Sequence, residues 1–247
     1  MGIVVTELPE VGITVVSRWI FNCYVVHDGG AGRPLVIDPG MRSTTRTAVA
    51  MLGGRKPVAI ATHGHIDHVG GLPMLREFGA EIALPIGIRG YLDGEVPRSP
   101  SLREAAKIAP VLREQPRSLG ALLDVVRCGR HCGYDGRGVR FPCGCDHWLA
   151  DGAAVPGAPD WQVVQTPGHT DDSTSLWNES TGVLLSGDAV LSLGGRAWFT
   201  PELIDAELAA ATEDRLRSLP VTHLLPGHGR PVVGAQVMAN AVGVVVT

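Results

Sequence analysis

The sequence predicts an α/β fold of the α+β kind, on three observations. Short apolar runs rich in β-branched residues alternate with segments of helical spacing up to residue 78, and strand runs return from residue 147 onward. Several of these runs stop at a histidine or aspartate beside glycine, which is how side chains from separate strands are delivered to one sheet edge. A chain of 247 residues with 45% hydrophobic residues can fill one large core.

The elements follow in order. Ile3–Thr6, Ile13–Ser17 and Ile20–His27 read as antiparallel strands, separated by glycine-containing breaks. The strand around Leu35–Ile37 ends in Asp38-Pro39-Gly40, which stops it with a carboxylate at its tip. Residues 43–52 have helical spacing with Ser43 as N-cap, Val58–Ala61 is a buried strand, and Leu72–Phe78 is a helix with Pro73 in its first turn, where the missing N–H does no harm. Strands at His147–Leu149 and Ala153–Val155 flank an Asp151-Gly152 turn, and further strands run over Trp161–Thr166, Ser173–Asn178, Val183–Ser186 and Val221–Leu225. A helix is predicted over Pro201–Leu219.

Between Ile88 and Cys145 this rhythm breaks. Prolines at 97, 100, 110, 116 and 142 interrupt short helical pieces; Ser101-Leu102-Arg103-Glu104 resembles a capping box, and Leu119–Val126 has helical spacing. The whole chain, residues 1–247, is therefore expected to be a single domain. Residues 88–145 form an insertion within it, a lid or a subdomain stapled by zinc. The staple would use Cys128, Cys132, Cys143 and Cys145, four thiols near His131 and His147; disulfides and free thiols are the alternatives. Cys23 lies mid-strand and reads as a small buried hydrophobe.

The densest chemistry lies in Thr62-His63-Gly64-His65-Ile66-Asp67-His68-Val69-Gly70-Gly71. In extended backbone His63 and His65 point to the same side, so neutral imidazoles there can converge on one divalent ion. Asp67 and His68, past the turn, imply a neighbouring second ion. His169 in Pro167-Gly168-His169, Asp188 after Gly187, and His228 in Gly227-His228-Gly229 each stand where a strand ends. Their repetition in one local context marks them as further ligands. His27 and His223 lack that context and read as structural.

Composition narrows the partners. A net charge of −4 without any Lys/Arg run gives no footprint for nucleic acid. The first residues carry neither a basic start nor a long apolar segment, so no signal peptide or membrane span is expected and a cytoplasmic location is the default, consistent with reduced cysteines. A small-molecule substrate is the expected partner, and the sequence leaves homo-oligomerisation open.

The ordered series Asp38, His63-Gly64-His65-Ile66-Asp67-His68, His169, Asp188, His228 resembles the metallo-β-lactamase superfamily over most of the chain. The resemblance implies a four-layer αββα sandwich with the metal site along one edge. It places one metal on His63, His65 and His169, a second on Asp67, His68 and His228, and Asp188 as the bridge, with Asp38 behind the ligands to orient them. An aspartate at the bridge is similar to glyoxalase II and lactonases, and unlike true β-lactamases. His65 stands where flavodiiron members carry glutamate, and Leu191 stands where acyl-homoserine lactonases place a tyrosine.

The implied activity is that of a binuclear zinc hydrolase, with iron or manganese as alternative metals, in which a metal-bridging hydroxide attacks an ester, thioester or lactone carbonyl. Asp188 bridges, and Asp67 orients the hydroxide and passes a proton to the leaving group. Alternatives are a mononuclear iron persulfide dioxygenase, which the set Asp67, His68 and His228 argues against, a phosphodiesterase, and a metal-bearing binding protein without turnover. Trp19, Phe21, Tyr91, Ser192, Arg196, Trp198 and Phe199 are candidate pocket walls.

Overall fold

The computed structural model describes residues 2–135 and 138–244 and builds two sheets one after the other. The first begins with β1 (Val4–Leu8), β2 (Ile13–Arg18), β3 (Phe21–Val26) and β4 (Leu35–Ile37), paired antiparallel in sequence order. β5 (Val58–Ile60) and β6 (Glu81–Pro85) then add in parallel, a pairing that needs crossovers. These are α1 (Arg42–Met51), and α2 (Ile66–Val69) followed by α3 (Leu72–Phe78). A longer excursion carries α4 (Ile88–Leu92), α5 (Leu102–Ala105), a 3-10 turn, α6 (Ala109–Glu114), α7 (Leu119–Gly129) and the hairpin of β7 (Gly133–Asp135) and β8 (Gly138–Arg140). It returns as β9 (His147–Leu149), parallel to β6 at the sheet edge.

The second sheet takes β10 (Ala154–Val155), β11 (Ala158–Gln165), β12 (Thr174–Asn178) and β13 (Val183–Gly187) in antiparallel order. A separate hairpin of β14 (Val190–Leu193) and β15 (Arg196–Phe199) and then α8 (Ala206–Arg217) lead to β16 (His223–Pro226), parallel to β13, with β17 (Val232–Val233) beyond it.

Strand alternation divides these residues into the four expected layers. Ile13, Val15, Tyr24, Val26, Leu35, Ile37, Val58 and Ile60 face inward from the first sheet and meet Trp161, Val163, Leu176, Val183, Leu185 and Leu225 of the second. Their neighbours Val16, Cys23, Val25, Val36 and Ala59 face outward against Ala48 and Leu52 on and after α1 and Leu72 and Leu75 of α3. Val164, Trp177, Leu184 and Leu224 do the same for the second sheet against Leu216 of α8. Each fully buried aliphatic side chain in these layers contributes about 1.5–3 kcal/mol.

The structure differs from the sequence expectations in several places. α1 begins at Arg42, and Ser43 lies inside it; the caps come from α7, where Cys128 Sγ accepts from Arg42 N–H at 3.1 Å and Asp124 Oδ2 from Ser43 N–H at 3.1 Å. The Asp151-Gly152 turn is no hairpin, because β9 and β10 belong to different sheets. The last helix starts five residues late: Ile204 and Asp205 give their N–H groups to the Gly168 carbonyl, and the Asp205 carboxylate caps Glu207 and Leu208. β6, β17 and the β14–β15 hairpin were not anticipated. The Ser101 cap is found as expected, accepting from Glu104 N–H at 3.2 Å.

Candidate metal centre

β5, β11, β13 and β16 end at the same edge of the sandwich, and the loops that leave them bring the expected histidines and aspartates together. Three overlapping groups form, in each of which the ligand atoms lie within 4.8 Å of one another: His63, His65 and His169; His63, His68 and Asp188; Asp67, His68 and His228. His63 Nε2 lies 3.0 Å from His65 Nδ1, and His169 Nε2 lies 3.3 Å from the same atom. Asp188 Oδ2 stands between the groups, 3.0 Å from His228 Nε2, 3.4 Å from His68 Nε2 and 3.7 Å from His169 Nε2. Asp67 Oδ2 lies 3.3 Å from His228 Nε2.

His68, His169 and His228 are aimed from behind. Asp38 sits at φ 53°, a left-handed conformation that aspartate tolerates, and the kink turns its carboxylate inward. Its Oδ2 lies 2.9 Å from His68 Nδ1, and its Oδ1 accepts from Thr62 N–H at 2.8 Å. His169 Nδ1 donates to the Glu202 carbonyl at 2.9 Å, which turns Nε2 toward the other ligands. His228 is fixed through its loop: Asn22 Nδ2 donates to the carbonyls of Pro226 at 2.9 Å and Gly229 at 2.7 Å, and Tyr24 Oη donates to Pro226 O at 2.6 Å. Phe21 packs edge-on against the His228 ring, centroids 5.2 Å apart. Gly40 allows α2 to approach, since a Cβ there would lie 1.4 Å from the Asp67 carbonyl oxygen.

Burial, reinforced by the neighbouring imidazoles, pushes His63 and His65 down, His65 to about 3, so both rings are neutral and offer lone pairs. His68 and His228 move the other way. Burial alone would lower them, but Asp188 and Asp67, with Asp38 also facing His68, outweigh it and raise both, His228 to about 10. Burial likewise opposes ionisation of Asp67 and Asp188, yet His68 and His228 hold both carboxyls below the usual range. The pocket thus concentrates negative charge around a few imidazoles. His68 Nε2 and Asp188 Oδ1 are buried without a hydrogen-bond partner, as is His228 Nδ1. Neutral imidazoles, ionised carboxylates and unpartnered buried atoms are the donor set of a divalent-cation site.

Other candidates are placed elsewhere. Arg196 donates to the Asn240 carbonyl at 3.3 Å, Ser192 donates to the Arg230 carbonyl at 2.6 Å, and Phe199 lies in the outer core under Arg217. Trp19 is buried beside Phe21 in a cluster with Met41, Val125 and Leu191, and half-buried Trp198 packs against that cluster. Tyr91 stacks edge-on against Tyr134. His27 bonds Thr14 at 2.8 Å, and His223 lies 3.5 Å from Glu10.

The four cysteines of the excursion are free thiols with separate surroundings. Cys128 caps α1, Cys145 Sγ donates to the His147 carbonyl at 3.0 Å, and Cys132 and Cys143 pair with each other within the outer core. His147 is turned to Glu81 at 2.7 Å. Among the described residues, no group of three or more metal-ligand atoms includes a cysteine.

Sequence reasoning missed Thr62, Asn22, Tyr134 and Asp172. Asp172 is buried three residues after His169, and its Oδ2 accepts from Gly64 N–H, between His63 and His65, at 2.7 Å.

The sequence model described as "Metallo-beta-lactamase superfamily" matches residues 18–228. The chain is 25% identical over 197 residues to "Probable metallo-hydrolase YflN" of Bacillus subtilis, covering 71% of this chain and 65% of that protein, slightly less than two thirds of the relative's length. It is 24% identical over 198 residues to a "Hydroxyacylglutathione hydrolase" of Methylococcus capsulatus, covering 80% of this chain and 57% of the other. Among solved structures, TTHA1623 in a di-iron-bound form superposes with a TM-score of 0.55 at 24% identity, covering 89% of this chain and 92% of that one, a likeness of fold.

Proposed function

The chain belongs to the metallo-β-lactamase superfamily, and from that premise we propose that it is a binuclear metal-dependent hydrolase of a small-molecule ester, thioester or lactone. The observation that carries the reading is Asp188 Oδ2, which stands within 3.0–3.7 Å of imidazoles from both donor groups, as a carboxylate shared by two ions must. His63, His65 and His169 would hold one ion, Asp67, His68 and His228 the other, and zinc is the metal that this imidazole-rich set suits. Such a pair supplies Lewis acidity, polarising a carbonyl and bringing the pKa of water toward neutrality.

The protein's own groups divide the remaining work. Asp67 is the more open of the two carboxylates, its side chain 19% exposed against 6% for Asp188. It meets the substrate side, orients water there, and provides the route by which a proton reaches the leaving group. Asp38 and the Glu202 carbonyl hold His68 and His169 in one tautomer each, so no reorientation is needed during turnover. A thioester is favoured within the class by the similarity to hydroxyacylglutathione hydrolases.

The deciding experiment couples metal quantification of the purified protein to a panel of thioester, lactone, aryl ester and phosphodiester substrates. Two ions per chain and chelator-sensitive thioester or lactone turnover are expected. Turnover confined to phosphodiesters, or oxygen uptake with a single iron, would overturn the assignment.

A further inference from the structure

The peptide between His63 and His65 is held in a closed ring of contacts that the reaction itself does not call for. Gly64 N–H donates to Asp172 Oδ2 at 2.7 Å, Gly64 C=O accepts from Tyr134 N–H at 3.0 Å, and Tyr134 Oη donates to Asp172 Oδ1 at 2.6 Å. The Tyr134 ring fills the space beside Gly64, where a Cβ would lie 2.2 Å from Cε1, and packs edge-on against the His65 ring with centroids 5.1 Å apart. All of these groups except His65 are buried, and both Asp172 oxygens are used.

The three corners come from distant parts of the chain. Gly64 separates two of the three histidines in one donor group, and Asp172 stands three residues beyond the third, His169. Tyr134 arrives from β7, at the end of the proline-broken excursion. A second strut runs alongside, from Arg98 Nε of the same excursion to Asp171 Oδ2 at 2.8 Å. The donor group at the other ion position, Asp67, His68 and His228, is steadied by Asp38 and Asn22, with Asp38 also holding the Thr62 N–H at the start of the His63 loop.

We propose that Asp172 and Tyr134 are positioning residues for the three-histidine half of the metal centre, so that the excursion between β6 and β9 acts as a brace on His63, His65 and His169. The proposal rests on the ligand reading given under Proposed function. It assigns the two residues an effect on one ion position and none on the other, which general destabilisation would not produce.

The test is a zinc titration of the full-length, metal-stripped protein against a chromophoric chelator, with cobalt spectra recorded in parallel and no substrate present. Asp67→Ala identifies the step that belongs to the other position. Tyr134→Phe, which removes one hydroxyl and keeps the ring, and Asp172→Asn, which keeps the shape, are each expected to weaken the three-histidine step about 10–100-fold and leave the other step unchanged. The two changes together should cost no more than slightly beyond the larger single effect, because both open the same ring. Wild-type affinity at both steps in both variants, with only the melting temperature lowered, would overturn the proposal, as would equal weakening of both steps. A wild-type protein without two steps would overturn the ligand reading and the brace together, whereas failure to find a hydrolysed substrate leaves this titration intact.

Discussion

Asp38 Oδ2 lies 2.9 Å from His68 Nδ1, both groups almost fully buried, and the same carboxylate takes the Thr62 N–H on its other oxygen. One side chain therefore fixes both the start of the His63 loop and the ring orientation of a histidine six residues further on. Asparagine at this position tolerates the positive φ and keeps one acceptor, so Asp38→Asn is expected to fold. It should weaken the ion position of Asp67, His68 and His228 by about 10–100-fold, measured by competition with a chromophoric chelator.

Asp188 carries the consequence for both positions. Asp188→Ala should lower metal content and turnover together, and His65→Ala likewise, as read by elemental analysis and initial rates on the same preparations. Normal turnover in either variant would contradict the shared site.

Proton release gives a pH signature. In the metal-stripped protein His68 and His228 are raised, His228 to about 10, so both carry a proton at neutral pH. Cation binding must displace a proton from each, so affinity should rise with pH, by up to about tenfold per unit for each proton released, and flatten as pH approaches 10. The sign for stability is opposite. The raised value stabilises the stripped protein fully below the unfolded histidine pKa of about 6.5, and that contribution is lost as pH rises toward 10. Calorimetry in buffers of different ionisation enthalpy reads the first effect and denaturant unfolding the second.

Asn22 bonds two carbonyls of the His228 loop from across the sandwich. Asn22→Ala leaves the Gly229 carbonyl without its buried donor, while Pro226 keeps the Tyr24 hydroxyl, and a loss of about 1–3 kcal/mol is expected in denaturant unfolding of the stripped protein.

What was legible in the sequence follows from how far each signal reaches. His63, His65, Asp67 and His68 are neighbours, and His169, Asp188 and His228 each stand beside a glycine at a strand end, so local pattern is enough to predict that these side chains gather in one place, as they do. Their orienting partners are remote: Asn22 meets Pro226 204 residues away, and Gly64 meets Asp172 108 residues away. No local pattern carries that. The cap of α1 failed for the same reason, since Asp124 supplies from 81 residues away what Ser43 was expected to supply locally. β6 escaped notice because a parallel strand buried on both faces shows no alternation.

The turn at Asp151-Gly152 divides the molecule more deeply than a loop usually does. Among the described residues, every strand of the seven-stranded sheet precedes it and every strand of the six-stranded sheet follows it. The turn itself is exposed, with Gly152 at φ 74°. The chain is thus two successive half-proteins joined once. The first carries His63, His65, Asp67 and His68, the second His169, Asp188 and His228, so neither half carries all of the proposed ligands. Cutting the chain at this turn would make two fragments whose recovery of tight cation binding reports their reassembly, because the centre belongs to the seam and to neither side of it.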